Sequence, residues 1–150
     1  MLRELQTILQ KPASAQYSCA EDGVMTGMGV VKKSETTFGY AGATTAADVF
    51  VVDKERIPVG INASRKDMSD YEDDFVKVGN GEKAKLIAYH AGERFATDQF
   101  TGSLTAEDRV EVGTDGKWVT ATGASKYVYK GEYNDNGHVL ALIEVSDTAQ

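Results

Sequence analysis

Cysteine is nearly missing from this 150-residue chain: Cys19 stands alone, so no internal disulfide can staple the fold. Histidine is almost as scarce, and His90 and His138 lie far apart in no zinc-ligand spacing, so no metal site is expected. Only two prolines occur, which suits strands that need nearly every ladder donor. Long apolar runs are missing too. The opening MLRELQTILQKP mixes charges with apolar residues, so neither a signal peptide nor a membrane span is expected. Positive charge is in deficit, with 16 Lys and Arg against 23 Asp and Glu, a net charge of −7 and a pI near 4.8. That balance repels polyphosphate and anionic lipid, and no basic run exceeds Lys32-Lys33, so neither nucleic acid nor membrane is expected as a partner. Phosphate-cradling motifs are also lacking. Gly27-Met28-Gly29 has neither the third glycine nor the helix start of a dinucleotide loop, and no cofactor is expected.

What the chain does contain is turn-and-strand pattern. A length of 150 residues fits one domain with a real core, able to bury roughly 70% of its unfolded surface. In the stretch from Gly92 to Trp118, Val110 and Val112 sit two apart and share one strand face, and Asp115-Gly116 reads as a hairpin reversal before Trp118. A second hairpin signal is Gly79-Asn80-Gly81, with Phe75, Val76 and Val78 before it and the alternation Lys83 to Ala88 after it. A third turn falls at Asn134 to Gly137. It precedes the most apolar strand, Val139 to Val145, which should lie at a sheet centre. Val30-Val31 and Phe50-Val51-Val52 supply earlier strands. Leu2, Leu5, Ile8 and Leu9 fall at helical spacing before Pro12, which predicts a short amphipathic helix over residues 1–10 that docks on its own core or on a partner. The small-residue run from Pro12 to Gly29 reads as an extended arm. The expected fold is therefore mainly β: an antiparallel β-barrel or sandwich over 30–150, with an N-terminal arm over 1–29 carrying the short helix.

Candidate chemistry is thin. The acids Asp67, Asp70, Glu72, Asp73 and Asp74 invite a calcium reading, but they lack the alternate oxygens, central glycine and terminal glutamate of an EF-hand loop, so a solvated loop is expected. Asn62-Ala63-Ser64 matches a glycosylation sequon, and since export is not expected the match is read as chance. Glu93, Asp98, Glu107 and Asp108 are near one another in sequence, as a glycosidase pair would be, yet Arg94 and Arg109 stand beside them and predict surface ion pairs. Neither histidine sits in a triad pattern. Phe95, Phe100, Trp118, Tyr127 and Tyr129 at strand spacing are expected in the core rather than on a stacking platform.

Three segments together carry a family resemblance: Gly92 to Phe100 (GERFATDQF), Val112 to Trp118 (VGTDGKW) and Leu140 to Val145 (LALIEV). Over roughly residues 75–145 the chain resembles the capsid decoration, or head cement, proteins of tailed bacteriophages. The resemblance implies a non-enzymatic structural protein without cofactor, made in the host cytoplasm and carried on the outer surface of the virion. Its implied partner is the major capsid protein, whose subunit contacts it would stabilise, and a homo-oligomer, a trimer in preference, is implied as well. The expected partner-binding residues are Leu2, Leu5, Ile8, Leu9 and Tyr17 in the N-terminal segment, which the resemblance does not cover. A carbohydrate-binding or host-attachment module of a virion is the alternative, and a small hydrolase has the least support.

Overall fold

The computed structural model describes residues 1–8, 17–47, 49–54 and 76–150. Among them run thirteen strands: β1 (Leu2–Gln6), β2 (Tyr17–Cys19), β3 (Val24–Met25), β4 (Gly29–Lys32), β5 (Thr37–Gly39), β6 (Phe50–Asp53), β7 (Lys77–Val78), β8 (Lys83–Ile87), β9 (Arg94–Thr97), β10 (Arg109–Val112), β11 (Trp118–Thr120), β12 (Tyr127–Asp135) and β13 (His138–Val145). Six of them form an antiparallel sheet in the order β1-β9-β13-β12-β10-β11, and five close a barrel, β2-β5-β4-β6-β8. Only β2 and β5 run parallel within the barrel, and β3 and β7 make a separate two-stranded ribbon. The expected mainly β class and the barrel are thus both present.

The sheet follows its alternation. β13 lies between β9 and β12, where its apolar residues are covered on both flanks. Its odd-numbered side chains Ala141, Ile143 and Val145 enter the main core with Val110, Val112, Phe95 and Trp118. The β12–β13 reversal is a two-residue turn. Asn136 and Gly137 have φ of 58° and 92°, the left-handed pair that matches the strand twist, and Asp135 pairs with His138 across it. The β10–β11 reversal is longer than a two-residue turn. Gly116 N–H donates to Gly113 O at 3.1 Å, Gly113 N–H donates to Lys117 O at 2.8 Å, and Val112 pairs with Trp118.

Two expectations are corrected. Residues 2–6 form a strand, not a helix: Leu2, Arg3 and Glu4 pair with Thr97, Ala96 and Phe95, and Gln6 pairs with Arg94 after a bulge at Leu5. A ten-residue helix is marginal alone, whereas the open edge of β9 offers a ready ladder, so tertiary pairing overrides the helical spacing. No helical arm is seen among the described residues; Leu9 and the start of the expected arm, residues 9–16, lie outside them. The second correction concerns Gly79-Asn80-Gly81. The chain does reverse there, with Glu82 N–H donating to Gly79 O at 3.0 Å. The flanking strands do not pair with each other, however: β7 joins β3, while β8 joins β2 and β6.

Barrel and sheet share one core wall. Val49 and Val51 from the β6 region pack into the sheet's cluster, while Val52, Phe38, Val30 and Cys19 fill the barrel interior. The seam runs through Gly27 and Gly29. The Gly27 carbonyl accepts from Trp118 Nε1–H at 3.2 Å and from Thr97 Oγ1–H at 3.1 Å, and Gly29 N–H donates to Gly116 O at 2.9 Å. A Cβ on Gly27 would lie 2.3 Å from Thr97 Oγ1, and one on Gly29 would lie 2.2 Å from a Val112 methyl. Close approach of two backbones demands glycine at both positions.

Candidate interaction surface

Among the described residues β1 is an edge strand: it pairs with β9 on one side only. An open edge presents unpaired backbone groups, and charges and bulges are the usual devices that blunt it. Arg3 ion-pairs with Asp135 at 3.0 Å, and Glu4 accepts from the Tyr89 hydroxyl at 3.0 Å. The bulge at Leu5 takes that residue out of the ladder and leaves it 38% exposed, and Ile8 beyond it is 60% exposed. These two are the apolar groups that the edge offers to a partner.

The end of this edge is clasped by a buried carboxylate. Glu93 is fully buried, its Oε2 accepting His90 N–H at 2.7 Å and its Oε1 accepting Ile8 N–H at 3.0 Å. It therefore ties the chain leaving β1 to the turn that enters β9. The expectation of a surface acid at Glu93 is corrected here. Its local sequence gives no signal of burial, because the clasp forms only when β1 docks. Next to it, Tyr89 stacks on Phe95 with ring centroids 4.5 Å apart. Burial first, and then the Glu4 carboxylate, push the Tyr89 phenol well above the ordinary tyrosine range.

The N-terminal residues named as a partner surface do not fall together. Leu2 packs against the main core, Leu5 and Ile8 project, and Leu9 lies outside the described residues. Tyr17 starts β2 at the barrel and packs on the barrel core, with the Lys32 ammonium 4.5 Å over its ring. Lys32 also lies 4.9 Å over Phe50, so the cation rests between two aromatic faces. A third exposed apolar group, Val139, sits beside the β12–β13 turn at the far end of the sheet from Ile8.

The other candidates are dispersed into structural work. Glu93 and Asp98 flank β9 at opposite ends, roughly 16 Å apart at strand rise, too far for a glycosidase pair. Glu107 ion-pairs with Lys130 at 2.6 Å, and Asp108 accepts Thr105 N–H at 2.9 Å. Arg94 pairs with Glu144 on the neighbouring strand, whereas Arg109 donates to Ser125 O, Ser146 Oγ and Gln150 Oε1. Ion pairs are therefore present, but across strands rather than between sequence neighbours. His90 and His138 are separated by the length of β13. Phe95, Trp118, Tyr127 and Tyr129 are core, as expected, and Phe100 packs against them half-buried. Cys19 is buried, and burial raises its thiol above the usual value, which keeps it protonated and unreactive. Among the described residues no group of three potential metal ligands converges. The acidic run 67–74 and Asn62 lie outside the described residues.

Comparison with protein-family models, with curated proteins and with solved structures finds no match to this chain.

Proposed function

We propose that this protein is a non-enzymatic structural protein of a tailed-bacteriophage head, bound to the outer capsid surface, where it stabilises contacts between major capsid subunits. The observation that carries this reading is the exposed apolar pair Leu5 and Ile8, one at the bulge of the edge strand and one just past its end, on a well-packed β fold. The resemblance over residues 75–145 supports the same reading, and so does the commitment of the candidate acids to hydrogen bonds and ion pairs within the fold. A binding protein of this kind works by mass action. Each copy adds contact area that must be lost before the shell opens, and a symmetric lattice repeats the gain many times. A trimer at a threefold position, assembled in the host cytoplasm onto the head, fits this role.

A carbohydrate-binding module would present aromatic faces to solvent, but Trp118 and Phe95 are fully buried and Tyr127 nearly so. The decisive experiment adds purified protein to expanded heads that lack it and images the particles. Saturable protrusions on the capsid, with delayed rupture on heating, are the expected result. Failure to decorate heads, together with binding to cell-wall glycan, would overturn the proposal in favour of host attachment.

A further inference from the structure

Between the 44–47 loop, β10 and the 121–126 loop lies an open pocket of about 470 Å³, lined in part by Thr44, Ala46, Glu111, Ala124, Ser125 and Lys126. Glu111 is unusual for its place. Val110 and Val112 on either side turn into the core, so strand alternation sends Glu111 away from it, yet Glu111 is only 5% exposed. Its Oε1 accepts both the N–H and the Oγ1–H of Thr122, each at 2.9 Å. Among the described residues no donor meets Oε2. No buried side-chain oxygen there is left unsatisfied, so Oε2 faces the open pocket.

The neighbouring polar groups are already committed. Ser125 Oγ donates to Val110 O at 2.6 Å and accepts Tyr127 N–H at 3.1 Å, which removes it as a nucleophile. Thr45 Oγ1 accepts Ala47 N–H at 3.1 Å. Lys126 lines the same pocket with its ammonium 5.5 Å over the Tyr127 ring and makes no ion pair among the described residues. The pocket thus offers one carboxylate oxygen held in place by two bonds to its twin, with Lys126 and several alanines also in its lining. Glu111 is the one carboxylate among the pocket's lining residues, and calcium sites draw several oxygens from the protein. A largely desolvated carboxylate gains most from a charge-assisted hydrogen bond.

We infer that this pocket binds a ligand group carrying a protonated amine or guanidinium, held by the Glu111 carboxylate. The alanine methyls accommodate its aliphatic stem. Lys126 meets an anionic group on the same ligand and disfavours polyamines. The chemistry is shared by a free cationic amino acid and by an arginine or lysine side chain of a partner protein.

The test is an NMR titration of the 15N-labelled full chain with three probes: free arginine, arginine capped as the N-acetyl N-methylamide, and citrulline, the neutral isostere. Saturable shifts at Thr44 to Ala47 and Thr122 to Lys126 are expected with arginine, with citrulline at least about tenfold weaker, as loss of one charge-assisted bond requires. Glu111→Gln keeps an acceptor for Thr122 and should weaken arginine by a similar factor. Equal binding of free and capped arginine assigns the site to a partner's side chain, and binding of the free form alone assigns it to a small zwitterion. No saturable shift with either arginine at millimolar concentration, or citrulline binding as tightly as arginine, would overturn the inference; that comparison needs no variant to fold.

Discussion

The indole N–H of Trp118 donates to the carbonyl oxygen of Gly27, 3.2 Å away and 91 residues earlier in the chain. Thr97 Oγ1–H donates to the same oxygen, so two sheet residues, one on β9 and one on β11, hold a single carbonyl beside the barrel. Trp118 also meets Phe95 and Tyr127 with centroids at 5.5 and 4.9 Å, which places it at the centre of the aromatic core. Trp118→Phe removes one buried hydrogen bond and leaves a void. A loss of roughly 1–3 kcal/mol is expected in urea unfolding, with barrel and sheet melting in one transition because the core wall is shared. Two separate transitions in the parent protein would contradict the shared core.

Glycine substitutions should divide sharply by location. Gly29→Ala drives a methyl to within 2.2 Å of a Val112 methyl at the seam, and a cost of roughly 1–3 kcal/mol is expected. At Gly123 an added methyl would meet no atom within 4 Å, and φ lies outside the left-handed region, so Gly123→Ala should be neutral or slightly stabilising. Thermal melts of the two variants, side by side, check this, and equal shifts would show that the seam is looser than the contact implies.

Tyr89 supplies a prediction at alkaline pH. Its phenol is raised in the folded state by burial and by Glu4, so the folded protein keeps a proton that the unfolded chain gives up above about pH 10. The associated stability is fully present below that pH and declines as pH rises beyond it, by up to about 1.4 kcal/mol per pH unit. Tyr89→Phe gives up the bond to Glu4 at neutral pH but should show a shallower alkaline decline. Denaturant midpoints from pH 8 to 11 measure the difference, and parallel curves for the two proteins would refute the assignment.

Much of the sheet is legible from the sequence because its signals are local. Asn136-Gly137 carries the turn in its own φ preferences, and the alternation from Leu140 to Val145 specifies a buried strand face without reference to a partner. Where the deciding partner is distant, the local pattern misleads. Leu2, Leu5 and Ile8 have helical spacing, but the segment from Leu2 to Gln6 is claimed by the ladder of β9, more than eighty residues on. Gly79-Asn80-Gly81 turns the chain as expected, yet its strands are drawn to β3 on one side and to β2 and β6 on the other. Glu93, beside Arg94, reads as a surface acid, and Glu111 stands between two strand valines with no local sign of its own burial. Their burial depends on segments from elsewhere, Ile8 in one case and Thr122 in the other.

The strand assignment of β1 also changes how the proposed capsid contact must be tested. Deleting residues 1–16 would strip the sheet of an edge strand and of the Glu93 clasp, so lost binding would follow from damage as readily as from a lost interface. Leu5→Ser with Ile8→Ser is the sharper probe, because both side chains project to solvent and the backbone bonds of Ile8 survive. The double variant should keep its melting temperature within a few degrees, since exposed positions usually contribute within about 0.5 kcal/mol. Its occupancy on expanded heads should fall at least about tenfold, as expected if two apolar anchors leave an interface. Val139→Ser is the matched control: Val139 is 45% exposed but lies at the other end of the sheet, so its occupancy should match the parent. Full occupancy of the double variant would remove β1 from the interface, and an equal loss with Val139→Ser would point to general surface hydrophobicity in place of a contact organised by the edge strand.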